Sequence, residues 1–276
     1  MKMIPSFLSF AALASAACHY GTTLAPRDSI VGRAKGKFGY DGLQGPINWH
    51  GLSPGNALCA RGESQSPVNI VPSDYDTVSG SSYNLEIPSY PDGAEIENIG
   101  TGVQVYVNGS ATIDNTTYAL RQYHFHTPSE HRIENEYYPV EVHFVMQTDD
   151  ESLAVIGFMI EVAADCDTPS EVMTASLRNI GEIPSTGNIT TTEPLDFSDL
   201  QSHLAESEVF TYGGSLTTPP CDEGVAWNVV ADPIFVDVST FRAVKAVLKF
   251  NSRHTQNVPG HVNVIESASK AFDNLL

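Results

Sequence analysis

The chain has 276 residues, 41% of them hydrophobic and 17% charged, enough to bury the core of one globular domain without a second. Its 14 basic and 33 acidic side chains give a formal charge of −19, which repels polyanions over most of the surface and excludes nucleic acid as a partner class.

Residues 1–17, MKMIPSFLSFAALASAA, place one lysine near the start, then an apolar stretch, then small residues, the pattern of a secretory signal peptide cut near Ala16 or Ala17. The apolar run is too short for a membrane helix, which needs roughly 20 residues, and Pro5 interrupts it. Cleavage removes Lys2 and leaves 13 basic against 33 acidic groups, a charge of −20. No apolar tail follows at the C-terminus, so the expected product is a soluble acidic export, extracellular or in the cell wall, without a membrane partner. Three sequons, at Asn108, Asn115 and Asn188, are glycosylation candidates in that setting. Nothing indicates an oligomer. The four cysteines, at 18, 59, 166 and 221, permit three pairings, and their number does not choose among them.

Residues 18–37 read as an N-terminal arm rich in Gly, Thr and basic residues, and 38–276 as one domain. VQVYVNGSATI (103–113) alternates around Asn108-Gly109, which predicts a hairpin there. TYALRQYHFHT (117–127), PVEVHFVMQ (139–147) and LAVIGFMIEV (153–162) are further strands, the last two separated by a polar turn at 148–151. Helical patterning is confined to 170–180, 195–204 and 239–250. The fold class is mostly β: a large twisted, mainly antiparallel central sheet with short peripheral helices.

A strand's period of two puts Gln122, His124 and His126 on one face. The same rule aligns Glu141, His143 and Val145, with Val140, Val142 and Phe144 opposite. Antiparallel pairing of these strands would gather three imidazoles, a facial site that zinc fills while keeping a fourth position open. Gln122 and Glu141 each stand two residues before a histidine, where an acceptor can hold the ring nitrogen that does not bind metal. A lone strand histidine is ordinarily a packed or surface residue; the paired pattern is what points to a metal.

The strings YHFHTPSEH (123–131), VEVHFV (140–145) and GGSLTTPPC (213–221) closely resemble the α-class carbonic anhydrases, as do GYDGLQGPINWHG (39–51), ESQSPVNI (63–70), VAWNVV (225–230) and FNSR (250–253). The resemblance runs from about residue 38 to the end and is to a secreted fungal or other eukaryotic microbial type. It implies a zinc lyase that hydrates carbon dioxide to bicarbonate and a proton, with weak esterase side activity. His124, His126 and His143 resemble the zinc ligands; Gln122, Glu141 and the backbone of Asn251 resemble the groups that hold them. Thr217 resembles the threonine that orients the nucleophile and donates to a glutamate matching Glu130, and Thr218 the residue that meets bicarbonate. Val145, Val155, Leu216 and Trp227 resemble the wall of the carbon dioxide pocket, Tyr40 a water-network tyrosine, and Cys59 and Cys221 the disulfide of exported members.

Taken singly, the pocket residues are ordinary core residues, and Tyr40, Gln65 and Asn251 could be structural. The runner-up is a related binding protein that keeps the fold without the chemistry, which loss of a zinc histidine would have favoured; here all three are present, as are Glu130 and Thr217. A zinc-storage protein would bind metal without turnover. The family's proton-carrying histidine is matched by Thr101, which does not titrate near neutral pH. His50 and His19 are the conceivable replacements.

Overall fold

The structure, a computed structural model, describes residues 38–273; the predicted signal (1–17) and arm (18–37), with Cys18 and His19, lie outside the described residues. Thirteen strands are present: β1 (Asn69–Ile70), β2 (Asp76–Ser79), β3 (Asn84–Glu86), β4 (Glu95–Asn98), β5 (Val103–Tyr106), β6 (Gly109–Ile113), β7 (Thr116–His126), β8 (Arg132–Ile133), β9 (Val140–Gln147), β10 (Leu153–Val162), β11 (Ile189–Thr191), β12 (Glu208–Ser215) and β13 (Glu223–Val236). The helices are α1 (Trp49–Leu52), α2 (Leu58–Arg61), α3 (Glu171–Leu177), α4 (Ser198–Glu206), α5 (Val238–Leu248) and α6 (Val264–Asp273).

Eleven strands form one sheet in the order β11-β4-β5-β7-β9-β10-β13-β12-β2, with β6 beside β7 and β3 beyond it. Every pairing in it is antiparallel except β10 with β13, so the sheet is mixed but mainly antiparallel. Its centre is covered on both faces, and β9 is accordingly buried from Val140 through Met146. Val140, Val142, Phe144 and Met146 enter the larger core, which also takes Leu177, Leu200 and Val244 from α3, α4 and α5. Val145 faces the other way, into a smaller cluster with Val155, Met159, Leu216, Val225 and Trp227. The two faces of β9 thus serve different purposes, one packing and one building the site.

The expected hairpin at Asn108-Gly109 is not found. β5 and β6 do not pair with each other; both run along the same edge of β7. The reversal lies at Asp114 and Asn115, whose φ angles of 46° and 60° supply the two left-handed residues that a two-residue hairpin turn requires. Asn108 and Gly109 have no such backbone, and a change of strand alignment along β7 replaces the turn. The three expected helices are α3, α4 and α5. α1, α2 and α6 were not anticipated, although Asn263 caps α6 by accepting the Ile265 amide at 2.9 Å.

Candidate metal centre

Strand register places the site residues in rows across the sheet. His124 of β7 lies opposite His143 of β9, and His143 opposite Gly157 of β10. His126 lies opposite Glu141. The neighbouring row runs Gln122, Val145, Val155, Trp227 across four strands. Because successive side chains on a face are two residues apart, the row of imidazoles sits beside a row that ends in apolar side chains.

Each imidazole is held by a different acceptor. His124 Nδ1 meets Gln122 Oε1 at 3.0 Å, His126 Nδ1 meets the Asn251 carbonyl at 2.8 Å, and His143 Nε2 meets Glu141 Oε1 at 2.7 Å. A carbonyl or carboxylate oxygen can only accept, so the proton is on the nitrogen facing it. The lone pairs are thereby left at Nε2 of His124 and His126 and at Nδ1 of His143. Burial is the first cause that pushes all three pKa values down, to about 4 for His126, which keeps these rings neutral and able to ligate.

The donor set fits zinc. The ligand atoms of His124, His126 and His143 lie within 4.8 Å of one another, and His126 Nε2 is a buried nitrogen with no hydrogen-bond partner. Three neutral imidazoles from two strands, with their outer nitrogens tied down, form the ligand set of an open zinc site. A second cluster, His131, Glu141 and His143, also brings ligand atoms together. Those atoms are spent on one another, since Glu141 Oε1 is bonded at 2.7 Å by both His131 Nδ1 and His143 Nε2. It is a scaffold for the first cluster.

Glu141 is the centre of that scaffold. Its Oε2 accepts the backbone amides of Glu130 and His131 at 2.7 and 2.8 Å. Burial works against its charge, but His131 and His143 outweigh it and hold the carboxyl well below its usual range. His131 Nε2 is hydrogen-bonded to the Tyr212 hydroxyl at 2.6 Å, which donates to Ser66 Oγ at 2.8 Å; Ser66 Oγ also accepts the Ser215 amide at 3.0 Å. Gly214 makes this possible: a Cβ there would come within 2.2 Å of Ser66 Oγ and 2.6 Å of the Tyr212 ring. The chain of bonds therefore runs from the histidine cluster to the segment carrying Leu216, Thr217 and Thr218.

Glu130 is fully buried 3.5 Å from His126 Nε2, with the Arg253 amide donating to its Oε1 at 2.9 Å. Burial raises its pKa to about 7, against the opposing effects of His143 and of the Thr217 hydroxyl. Thr217 and Thr218 are buried as well. Tyr40 is held above the usual phenol range by burial and then by the Glu130 charge, with Arg253 opposing. The Asn251 side chain accepts the Thr127 amide and donates to the Phe125 carbonyl, which fixes the backbone oxygen that holds His126.

Cys59 and Cys221 are joined, with Cα atoms 5.1 Å apart, whereas Cys166 is exposed and free. Arg253, buried at 1% exposure, ties this bridge to the site: its guanidinium donates to the carbonyls of Cys59 and Ser66 and to Gln65 Oε1, while Gln65 Nε2 donates to the Cys221 carbonyl. Sequence reasoning did not assign roles to Arg253, His131, Tyr212, Ser66 or Val225. Only Val225 carried a readable signal, its two-residue spacing from Trp227. The three sequon asparagines are exposed: Asn108 in the bend after β5, Asn115 at the β6–β7 turn and Asn188 just before β11.

The family described as "Eukaryotic-type carbonic anhydrase" matches residues 44–264. A carbonic anhydrase of Nostoc sp. is 34% identical over 240 residues, covering 86% of this chain and 89% of that protein. Another from Neisseria gonorrhoeae is 34% identical, over 83% of this chain and 87% of its own. Among solved structures, a fungal alpha carbonic anhydrase from Aspergillus oryzae is 42% identical with a TM-score of 0.81, covering 85% of this chain and 99% of that one.

Proposed function

Because this chain belongs to the eukaryotic-type carbonic anhydrase family, whose members are zinc lyases, we propose that it interconverts carbon dioxide and bicarbonate at the His124, His126 and His143 cluster. The observation that carries the reading is the convergence of three neutral, buried ring nitrogens, one of them His126 Nε2 without a hydrogen-bond partner. Zinc bound there supplies a Lewis acid that makes a nucleophile available from water near neutral pH.

The surrounding residues supply orientation. Thr217, whose hydroxyl acts on Glu130 strongly enough to lower its pKa, would donate to that carboxyl and so present its own oxygen as an acceptor, which selects one orientation for a nucleophile bound beside it. Arg253, through its backbone amide, keeps the Glu130 carboxyl turned to accept. Val145, Val155, Leu216 and Trp227, all nearly closed to solvent, offer an apolar wall that suits an uncharged linear substrate and holds a charged product poorly. In this reading Thr218, next in sequence to Thr217, meets a bicarbonate oxygen, and Tyr40 belongs to the water network, close enough to Glu130 and Arg253 to feel both charges. The same nucleophile would hydrolyse activated esters slowly.

Residues 1–17 and the disulfide support export to the cell exterior or wall, with Asn108, Asn115 and Asn188 open to glycosylation. Among the described residues no helix is long and apolar enough to cross a membrane. Stopped-flow hydration of carbon dioxide, with and without a zinc chelator, tests the reading. Turnover that the chelator abolishes and zinc restores is expected. Stoichiometric zinc without turnover would leave a metal-binding protein.

A further inference from the structure

The row of side chains that passes through His143 and His124 continues beyond the metal cluster. From β7 it runs outward to Gln104 of β5, Glu97 of β4 and Ile189 of β11. Paired strands stand about 4.8 Å apart, so the Glu97 backbone lies about 10 Å from that of His124. Gln104 is closed to solvent between them, but Glu97 is only half-buried and Ile189 is 48% exposed, so the row opens to water at this outer end. With the imidazoles neutral, Glu97 is the charged member of the row.

Glu97 is also held in place. Tyr106, in the adjoining row of β5, donates from its hydroxyl to Glu97 Oε2 at 2.9 Å, which fixes the carboxylate and sets a phenol ring near it. β4, β5 and β11 contain no Lys, Arg or His. Of the other charges at this end of the sheet, Glu95 stands in the adjoining row and Arg121 at the bulge of β7. Arg178 lines a separate cavity with Glu171, Glu193 and Asp237, and Lys249 ends α5, whose Val244 packs on the opposite face of the sheet. Glu97 is therefore the charge that shares a row with the metal cluster, and it stands on the strand leading into the turn that carries Thr101.

We propose that Glu97, with Tyr106 and Ile189, receives the proton carrier from solution, and that its charge selects bases which arrive neutral and leave as cations. The proposal rests on the hydration reading above. One carbon dioxide and one water give bicarbonate and one proton. Imidazole takes that proton on its unprotonated ring nitrogen and departs as imidazolium, a flat cation that a carboxylate, a phenol ring and an apolar side chain all suit. Hydrogen phosphate arrives as a dianion and departs as a monoanion, and the same carboxylate repels both. Glu97 acts here through its charge and not as the relay.

Glu97→Gln keeps the shape and removes the charge. A unit charge at about 5 Å in water changes the local concentration of another about fourfold. At low ionic strength, the buffer-dependent part of kcat in Glu97→Gln is expected to fall about threefold with imidazole and rise about threefold with phosphate, with kcat/KM and zinc content unchanged. At an ionic strength of about 1 M the two buffers should no longer diverge. A second readout needs no turnover. On the zinc-free chain, broadening of the Gln104 and Ile189 amides by a cationic aminomethyl nitroxide, relative to an anionic carboxyl nitroxide, should fall at least roughly threefold in Glu97→Gln. The ratio should keep the parent value in Glu208→Gln, on β12 across the sheet. A nitroxide ratio that Glu97→Gln leaves unchanged, or that Glu208→Gln lowers equally, overturns the proposal. A chain that does not hydrate carbon dioxide at all overturns the reading of the site as well, whereas turnover that responds to Glu97→Gln alike in both buffers overturns the assignment of Glu97 alone.

Discussion

His131 and His143 donate to the same carboxylate oxygen of Glu141, each over 2.7 Å, so a residue that cannot touch the metal fixes the partner of one that can. Without His131, Oε1 keeps only the His143 bond, and Glu141 is free to turn about Oε2. His131→Asn is expected to weaken zinc affinity by roughly tenfold, the low end for groups beyond the ligands. Tyr212→Phe, which keeps the ring stacked on Trp227 at 6.2 Å, should have a smaller effect in the same direction. Chelator competition reads the affinity, and the melting temperature of the zinc-free proteins separates this from a loss of fold. Zinc affinity equal to the parent's in His131→Asn would remove the positioning role.

His143→Ala should abolish stoichiometric zinc binding and nearly all hydration. Only two of the three converging nitrogens remain, and Glu141 loses one of the bonds that hold its charge. Stripping zinc from the unmodified chain should abolish hydration while leaving the far-ultraviolet circular dichroism intact, because the hydrogen bonds to the outer ring nitrogens do not need the ion. Full zinc content in His143→Ala, measured by metal analysis, contradicts the ligand assignment.

Val155 lies opposite both Val145 and Trp227, in the middle of the apolar row. Val155→Phe would put a ring where the substrate must stand beside the imidazoles. The expected result is a fall in kcat/KM on the order of a hundredfold with zinc content unchanged. A proportionate loss of zinc would show that the ring had displaced the ligands instead.

The period of two was enough to read the metal row: His124, His126 and His143 needed only strand assignments, and the register His124 opposite His143 followed once the strands paired. Thr217 and Glu130 became readable through family resemblance, since no periodicity connects them. The Tyr212–Ser66 bond was illegible, because it joins residues 146 positions apart through a backbone approach that only Gly214 permits. The Asn108-Gly109 misreading has a similar origin. The dipeptide favours a turn locally, but β7 is long enough to accept both β5 and β6 along one edge, and the tertiary pairing decides.

The bridge between Cys59 and Cys221 closes a separation of 162 residues, for which the chain-entropy model gives about 5 kcal/mol. A Cys59→Ser/Cys221→Ser variant should lose about 2–5 kcal/mol in urea unfolding. The Cys59 and Cys221 carbonyls meet Arg253 and Gln65, and Arg253 in turn holds Glu130, so kcat/KM should fall along with stability. Unfolding midpoints that coincide for parent and variant would show that the packing around Arg253, and not the cross-link, holds this corner.

Thr101 sits in the turn between β4 and β5, half-buried, with its carbonyl 3.5 Å from Asn251 Nδ2, the residue whose backbone oxygen holds His126. It is therefore near the metal cluster but carries no group that titrates near neutral pH. A positioned acid–base group is typically worth roughly 10²–10⁴-fold in proton transfer, and water chains with buffer recover part of that. Turnover should accordingly be limited by proton export at low buffer and rise as imidazole is added. The ratio kcat/KM for carbon dioxide should stay nearly constant, because it is set before the proton leaves. Thr101→His should raise kcat at low buffer and flatten its dependence on imidazole, with zinc content unchanged. His50, on the exposed surface of α1, is the remaining candidate among the described residues, and His50→Ala tests it separately. If the unmodified enzyme is already insensitive to buffer and His50→Ala makes it sensitive, the proton leaves through His50 and the reading of Thr101 as the missing shuttle is wrong.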